Sequence, residues 1–182
     1  MIYSLPVEVE IDGARYPIRD RGNWSMILDV LAALTDPELN DSEKYTAALR
    51  IFYERVPPDI TSAIAEMGSF IDGGNTVKPT NPSPRLMDWE QDFPLIVAPI
   101  NRILGKEVRS VEYLHWWTFL AAYMEINDCT FTTVISIRQK QAKHKKLEKW
   151  EQDYVREHPE LVKLRPLVSE SEQAYLDSFL EG

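Results

Sequence analysis

A mainly α-helical domain with a small N-terminal β-hairpin is the fold predicted by this sequence, and three observations predict it. Apolar residues recur at helical spacing along most of the chain, whereas strict period-two alternation is confined to its start. Pro and Gly stand between the helical runs, at Asp36-Pro37, Pro57-Pro58 and Gly73-Gly74. The chain has 182 residues, enough for one domain to bury a conventional core without disulfides or metals.

Val7 to Ile11 alternates apolar and acidic side chains, as a half-buried strand does. Asp12-Gly13 suits a type I′ turn, and Ala14 to Ile18 returns as the second strand, with Pro17 confining it to a sheet edge. Two strands alone are marginal in water, so their apolar face must rest on helices. Asn23 is placed to cap a first helix carrying Trp24, Ile27, Leu28, Leu31 and Leu34, which Asp36-Pro37 ends. Asp41 or Ser42 caps a second, with a stripe of Tyr45, Ala48, Leu49, Phe52 and Val56. Asp59 caps a third, from Ile60 to Ile71, with Ile60, Ile64, Met67 and Ile71 on one face. Residues 1–74 thus form a hairpin-plus-helices region. The Pro-rich loop 75–84 divides it from a helical region, 85–182, expected to make one compact unit with it.

In that second region, the acids of Asp88-Trp89-Glu90-Gln91-Asp92 suit the first turn of a helix, where free N–H groups favour negative charge. Pro94 and Pro99 predict a late start or a kink before Gly105 ends it. Ser110 is expected to cap a strongly apolar helix running to Met124, with Glu112, His115, Thr118, Ala122 and Glu125 on a narrow outward face. Residues 130–137 fit either a strand, by their β-branched content, or a helix face through Phe131, Val134, Ile135 and Arg138; helix is chosen. Leu147 to Glu157 makes another helix, stopped before Pro159. A last one opens at Ser169 and carries Tyr175, Leu176, Phe179 and Leu180.

Composition narrows the function. A net charge of −9 argues against general nucleic-acid binding, which needs an excess of Lys and Arg. No apolar run is long enough to suggest a membrane span, and the first residues lack a signal-peptide pattern. Cys129 is the single cysteine, so no intrachain disulfide forms. His115, His144 and His158 lie on separate segments without zinc-ligand spacing, and no phosphate-binding glycine loop or nucleophile elbow is found. Cys129, at a helix start, reads as a small packing residue rather than a nucleophile. Asp88, Glu90 and Asp92 are the one carboxylate group that could serve a metal-dependent enzyme, but helix-start acids explain them more simply. No catalytic residue, metal or cofactor is therefore expected.

Two features suit protein contacts. Tyr113, Trp116, Trp117 and Phe119 read as core, and any exposed part of them as a binding hot spot. The run from Arg138 to Lys149 holds six basic residues and one acid, inside an acidic chain. Such a run is commonly a solvated helix face, but Arg138, Lys140, Lys143, Lys145 and Lys146 could also meet a partner.

Several strings then point to a family: Asp88 to Asp92, the run Ser110 to Leu120 with its Leu-His-Trp-Trp, Asp128-Cys129-Thr130-Phe131, Ile135 to Arg138, and Lys146 to Glu151. Together they resemble the bacteriophage gene product fifteen family of long-tailed phages and prophages of Gram-positive bacteria. The resemblance is strongest from Arg85 to Arg156, while Pro94 and Pro99 depart from the family pattern. It implies a non-enzymatic tail assembly chaperone in the bacterial host cytoplasm, binding the tape measure protein while the tail tube forms. Tail tube protein and further copies of the chain are additional partners compatible with it. A structural component of the tail is the alternative.

Overall fold

A computed structural model describes residues 4–75 and 84–167 of the chain. The N-terminal hairpin pairs β1 (Glu8–Ile11) with β2 (Ala14–Pro17) antiparallel, with Val9 opposite Tyr16 and Ile11 opposite Ala14. Asp12 and Gly13 both take positive φ, as the type I′ turn requires. Ile11 and Tyr16 are buried on one face, and β1 packs against a helix, α3 (Ile60–Ile71). Beyond the hairpin, Asp20, Arg21 and Gly22 all lie in the left-handed region. Gly22 is needed twice over there, since a Cβ would come within 2.6 Å of the Phe70 ring.

Eight α-helices follow among the described residues, so the chain is mainly α, with one two-stranded sheet. The first, α1 (Trp24–Thr35), packs along α2 (Asp41–Phe52), and α3 closes that side. The cap of α2 is Asn40, not Asp41 or Ser42, because Asn40 and Glu43 satisfy each other's backbone N–H in a capping box. Asp59 caps α3 as expected, accepting from Thr61 and Ser62. The buried face of α3 is Ala63, Met67 and Phe70, however, and Ile60 is left exposed.

Then come α4 (Trp89–Leu104), α5 (Trp116–Met124), α6 (Thr130–Ala142), α7 (Lys149–Glu157) and α8 (Pro159–Val162). Neither Pro94 nor Pro99 interrupts α4, although each deletes one intrahelical bond. Burial of Ile96, Val97, Pro99 and Ile100 holds the helix through both positions. Gly105, at φ 67°, ends it. Residues 130–137 are helical, as chosen from the sequence. Pro159 stops α7 and opens α8, where its missing N–H costs nothing. The helix expected from Ser169 and the loop 76–83 lie outside the described residues.

The expectation for α5 needs correction. It begins at Trp116 with His115 as its cap, while Ser110 closes a short 3-10 turn. Residues 111–115 are drawn out by the head of α1: Leu114 O accepts from Trp24 N, and Leu114 N donates to Asn23 Oδ1. Asn23 therefore stands at the cap position of α1 but spends its side chain on this crossing instead. His115 and Ala122, expected outside, are buried, and Met124, expected inside, is 70% exposed.

The core joins both sides of the 75–84 segment. Stacked rings run from Phe93 through Trp24 and Phe119 to Trp116, with centroids 5.2–5.7 Å apart. A second aromatic group, Phe52, Tyr53, Phe70 and His115, meets edge to face beneath the hairpin. Among the described residues no helix is long and apolar enough to cross a membrane.

Candidate functional site

The carboxylates at the head of α4 are engaged by arginines. Asp92, 1% exposed, takes a bidentate pair from Arg138 at 2.7 and 2.9 Å. The same guanidinium donates to the carbonyls of Leu86, Leu161 and Val162, which uses all five of its N–H groups. Asp88 caps α4 through Gln91 N and takes a second layer of charge from Arg85 and Arg165. Burial would raise the Asp88 carboxyl, but the Gln91 N–H and the two guanidiniums outweigh it and hold it below the ordinary carboxylate range. Glu90 pairs with Arg165. The arrangement is a latch: it ties residues 159–167 to α4, with Gln91 bridging to Glu160, Lys163 and Arg165. Among the described residues no three His, Cys, Asp or Glu side chains gather as a metal site would require.

The basic run divides. Arg138, 4% exposed, belongs to the latch and is no surface residue, which corrects its place among the partner-facing cations. Lys140 is tied to the buried Glu151 at 2.6 Å, whose carboxyl it holds below its usual range together with the Glu148 N–H and against burial. Lys143, Lys145 and Lys146 remain exposed, near a half-exposed Trp150. These three are what survives of the cationic surface read from the sequence.

The aromatic cluster also divides. Trp116 and Phe119 are core, and the Trp116 and Trp117 indoles donate at 2.8 Å to the carbonyls of Ile71 and Phe70 at the end of α3, the latter shared with Gly73 N. Tyr113 is 39% exposed and hydrogen-bonds to Arg21 O. His115 donates from Nε2 to Pro6 O and accepts at Nδ1 from Trp117 N, which requires the neutral ring; burial, against the Pro6 bond, lowers its pKa accordingly. His144 and His158 lie on other segments, at the ends of α6 and α7. Cys129 is half-buried at the head of α6, where Thr132 Oγ1 accepts from its N–H.

Two open grooves flank Trp89, and nothing in the local sequence announces them, since they arise where α1, α3, α4 and α5 converge. One, of about 350 Å³, lies between Leu28 and Ala32 of α1 and Trp89 and Phe93 of α4, with Asp29 and Arg165 at its edge. The other, of about 420 Å³, lies between Leu31, Ile71, Trp116 and Leu120, with Asp72 and Met124 at its edge. The arrangement offers apolar surface with charged margins, of a kind that can hold a protein segment.

Comparison with curated proteins and with solved structures returned no match. A family described as "Bacteriophage Gp15 protein" matches residues 1–164, nearly the whole chain. The residues quoted for the resemblance all fall within that span, and the chain belongs to the bacteriophage Gp15 protein family.

Proposed function

We propose that this phage protein is a non-enzymatic tail assembly chaperone that binds the tape measure protein in the host cytoplasm while the tail tube forms around it. The observation that carries the reading is the pair of apolar grooves flanking Trp89, in a protein of this family. A tape measure protein is long and helical, and its amphipathic helices need apolar cover before the tube encloses them. The capture of Asp88, Glu90 and Asp92 by arginines supports a binding role over a catalytic one. Lys143, Lys145 and Lys146 contribute mainly to encounter, because exposed charges are screened beyond about 10 Å at 0.1 M salt.

Co-expression with the tape measure protein of the same phage tests this. The tape measure is expected to be soluble and to co-purify with this chain. If it is equally insoluble with and without the chain, and the two never co-purify, the chaperone reading fails. Retention of the chain in purified virions would favour the structural-component reading instead.

A further inference from the structure

The two grooves share Trp89 as a wall, and α1 contributes to both, with Leu28 and Ala32 on one side and Leu31 on the other. Their floors are apolar. Their margins carry Asp29, Glu90, Asp72 and Arg165. Arg165 is already committed to Glu90 and Asp88, so that pair is close to neutral. Asp29 and Asp72 are exposed and have no ion-pair partner among the described residues. Among the described residues the uncompensated charge along both margins is thus negative. Met124, 70% exposed beside the second groove, adds a flexible, polarizable side chain that can adapt to an apolar partner.

We infer that the grooves on either side of Trp89 receive an amphipathic helix with apolar anchors and a flanking face of Lys and Arg, the cations meeting Asp29 and Asp72. Charge selects this occupant over the chain's own C-terminus. Residues 168–182 contain Glu170, Glu172, Asp177 and Glu181 and no Lys or Arg, so they would bring like charge to an acidic rim. Apolar anchors seated beside Trp89 supply the affinity, and the rim charges supply selection and rate of encounter. The inference rests on the assembly reading for its partner and adds the chemistry of the helix that the partner presents.

The test uses the full chain and two synthetic helical peptides of about 20 residues, long enough to hold helix in water. Both carry leucines at helical spacing; one has lysines on its polar face and the other glutamates. Fluorescence anisotropy should show the lysine peptide binding about tenfold or more tightly. The double variant Asp29→Lys/Asp72→Lys should abolish that preference. The control Glu10→Lys/Glu54→Lys changes net charge equally at residues lining neither groove, and should retain it. Equal loss in both double variants would reduce the effect to net charge and overturn the inference. So would tight binding of the lysine peptide only after residues 168–182 are removed, which would assign the grooves to the tail. Self-association abolished by Asp29→Lys/Asp72→Lys, without peptide binding, would assign them to a second copy and also overturn it. The two readings separate in co-expression. If the wild-type chain solubilises the tape measure and Asp29→Lys/Asp72→Lys does so equally well, the groove inference fails alone. If the lysine peptide binds as expected but the tape measure stays insoluble, the assembly reading fails alone.

Discussion

The stacked rings around Trp24 and the segment 159–167 both lean on α4, yet they are held by different physics. Around Trp24, rings from α1, α4 and α5 lie 5.2–5.7 Å apart, and burial of apolar surface does the holding. At the other end, α7 buries only Glu151 and α8 only Val162, and the attachment runs through Arg138, Arg165, Arg85 and Gln91. Apolar packing is non-directional, so losing one contact leaves its neighbours in place. An arginine latch is directional and coupled: each guanidinium serves several carbonyls and carboxylates, and removing one partner strands the other. The core should therefore fail by degrees and the latch by steps.

The largest effect is expected in the core. Trp116→Ala removes a ring 1% exposed, stacked on Phe119, and frees the Ile71 carbonyl at the end of α3. A loss of about 3–5 kcal/mol in chemical denaturation is expected, with a clearly smaller one for the half-buried Trp117→Ala. Equal small losses at both would mean that the ring stack does not carry stability.

Arg138→Met probes the latch at its most buried point. Asp92 would be left charged and uncompensated, at a cost of about 3–5 kcal/mol. Adding Asp92→Asn removes the stranded charge while keeping an acceptor for Asp88 N, and should recover about 1–2 kcal/mol. A double variant no more stable than the single one would show that the lost carbonyl contacts, not the charge, set the cost.

The same division explains what could be read in advance. Helical spacing announces apolar burial, so α1, α3 and the helical choice for 130–137 were legible, as was the hairpin through Asp12-Gly13. Polar partnerships leave no such trace. Nothing local says that Arg138 pairs with Asp92, 46 positions away, so the residue reads as one more surface cation in a basic run. The start of α5 was hidden for a related reason. Residues 111–115 have helical apolar spacing, but their backbone pairs with the head of α1 across some 90 positions. The grooves beside Trp89 were invisible because their walls come from α1, α3, α4 and α5 together.

A pH dependence separates the second aromatic group from the latch. His115 is held neutral, with its pKa below the ordinary value, whereas the unfolded chain titrates near 6.5. The unfolded state therefore binds more protons as pH falls, so the stabilisation from neutral His115 is present above about pH 6.5 and is lost as pH falls through the folded value. The slope from one such group is at most about 1.4 kcal/mol per pH unit. His115→Asn, which keeps a side-chain acceptor for Trp117 N, should flatten the fall in stability below about pH 6.5. An unchanged slope would place the titration elsewhere.

Arg165→Gln should give the smallest change and the sharpest view of how separable the latched arm, residues 159–167, is. Arg165 is about one-third exposed, and solvent screening discounts its pairs with Asp88 and Glu90. Asp88 also keeps Arg85, so no buried charge is stranded, and the global loss should be only about 0.5–1 kcal/mol. The arm itself should respond more strongly. The amides of Leu161, Val162 and Lys163 close α8 onto His158 and Pro159, and Arg165 N donates to Gln91. Loosening the latch lets that segment open without disturbing the stacked rings. Hydrogen exchange at Leu161, Val162, Lys163 and residue 165 should accelerate, while Ile27, fully buried in α1, exchanges as before. Equal acceleration at Ile27 would mean that arm and core open as one cooperative unit, and that the difference between them is one of contacts and not of stability.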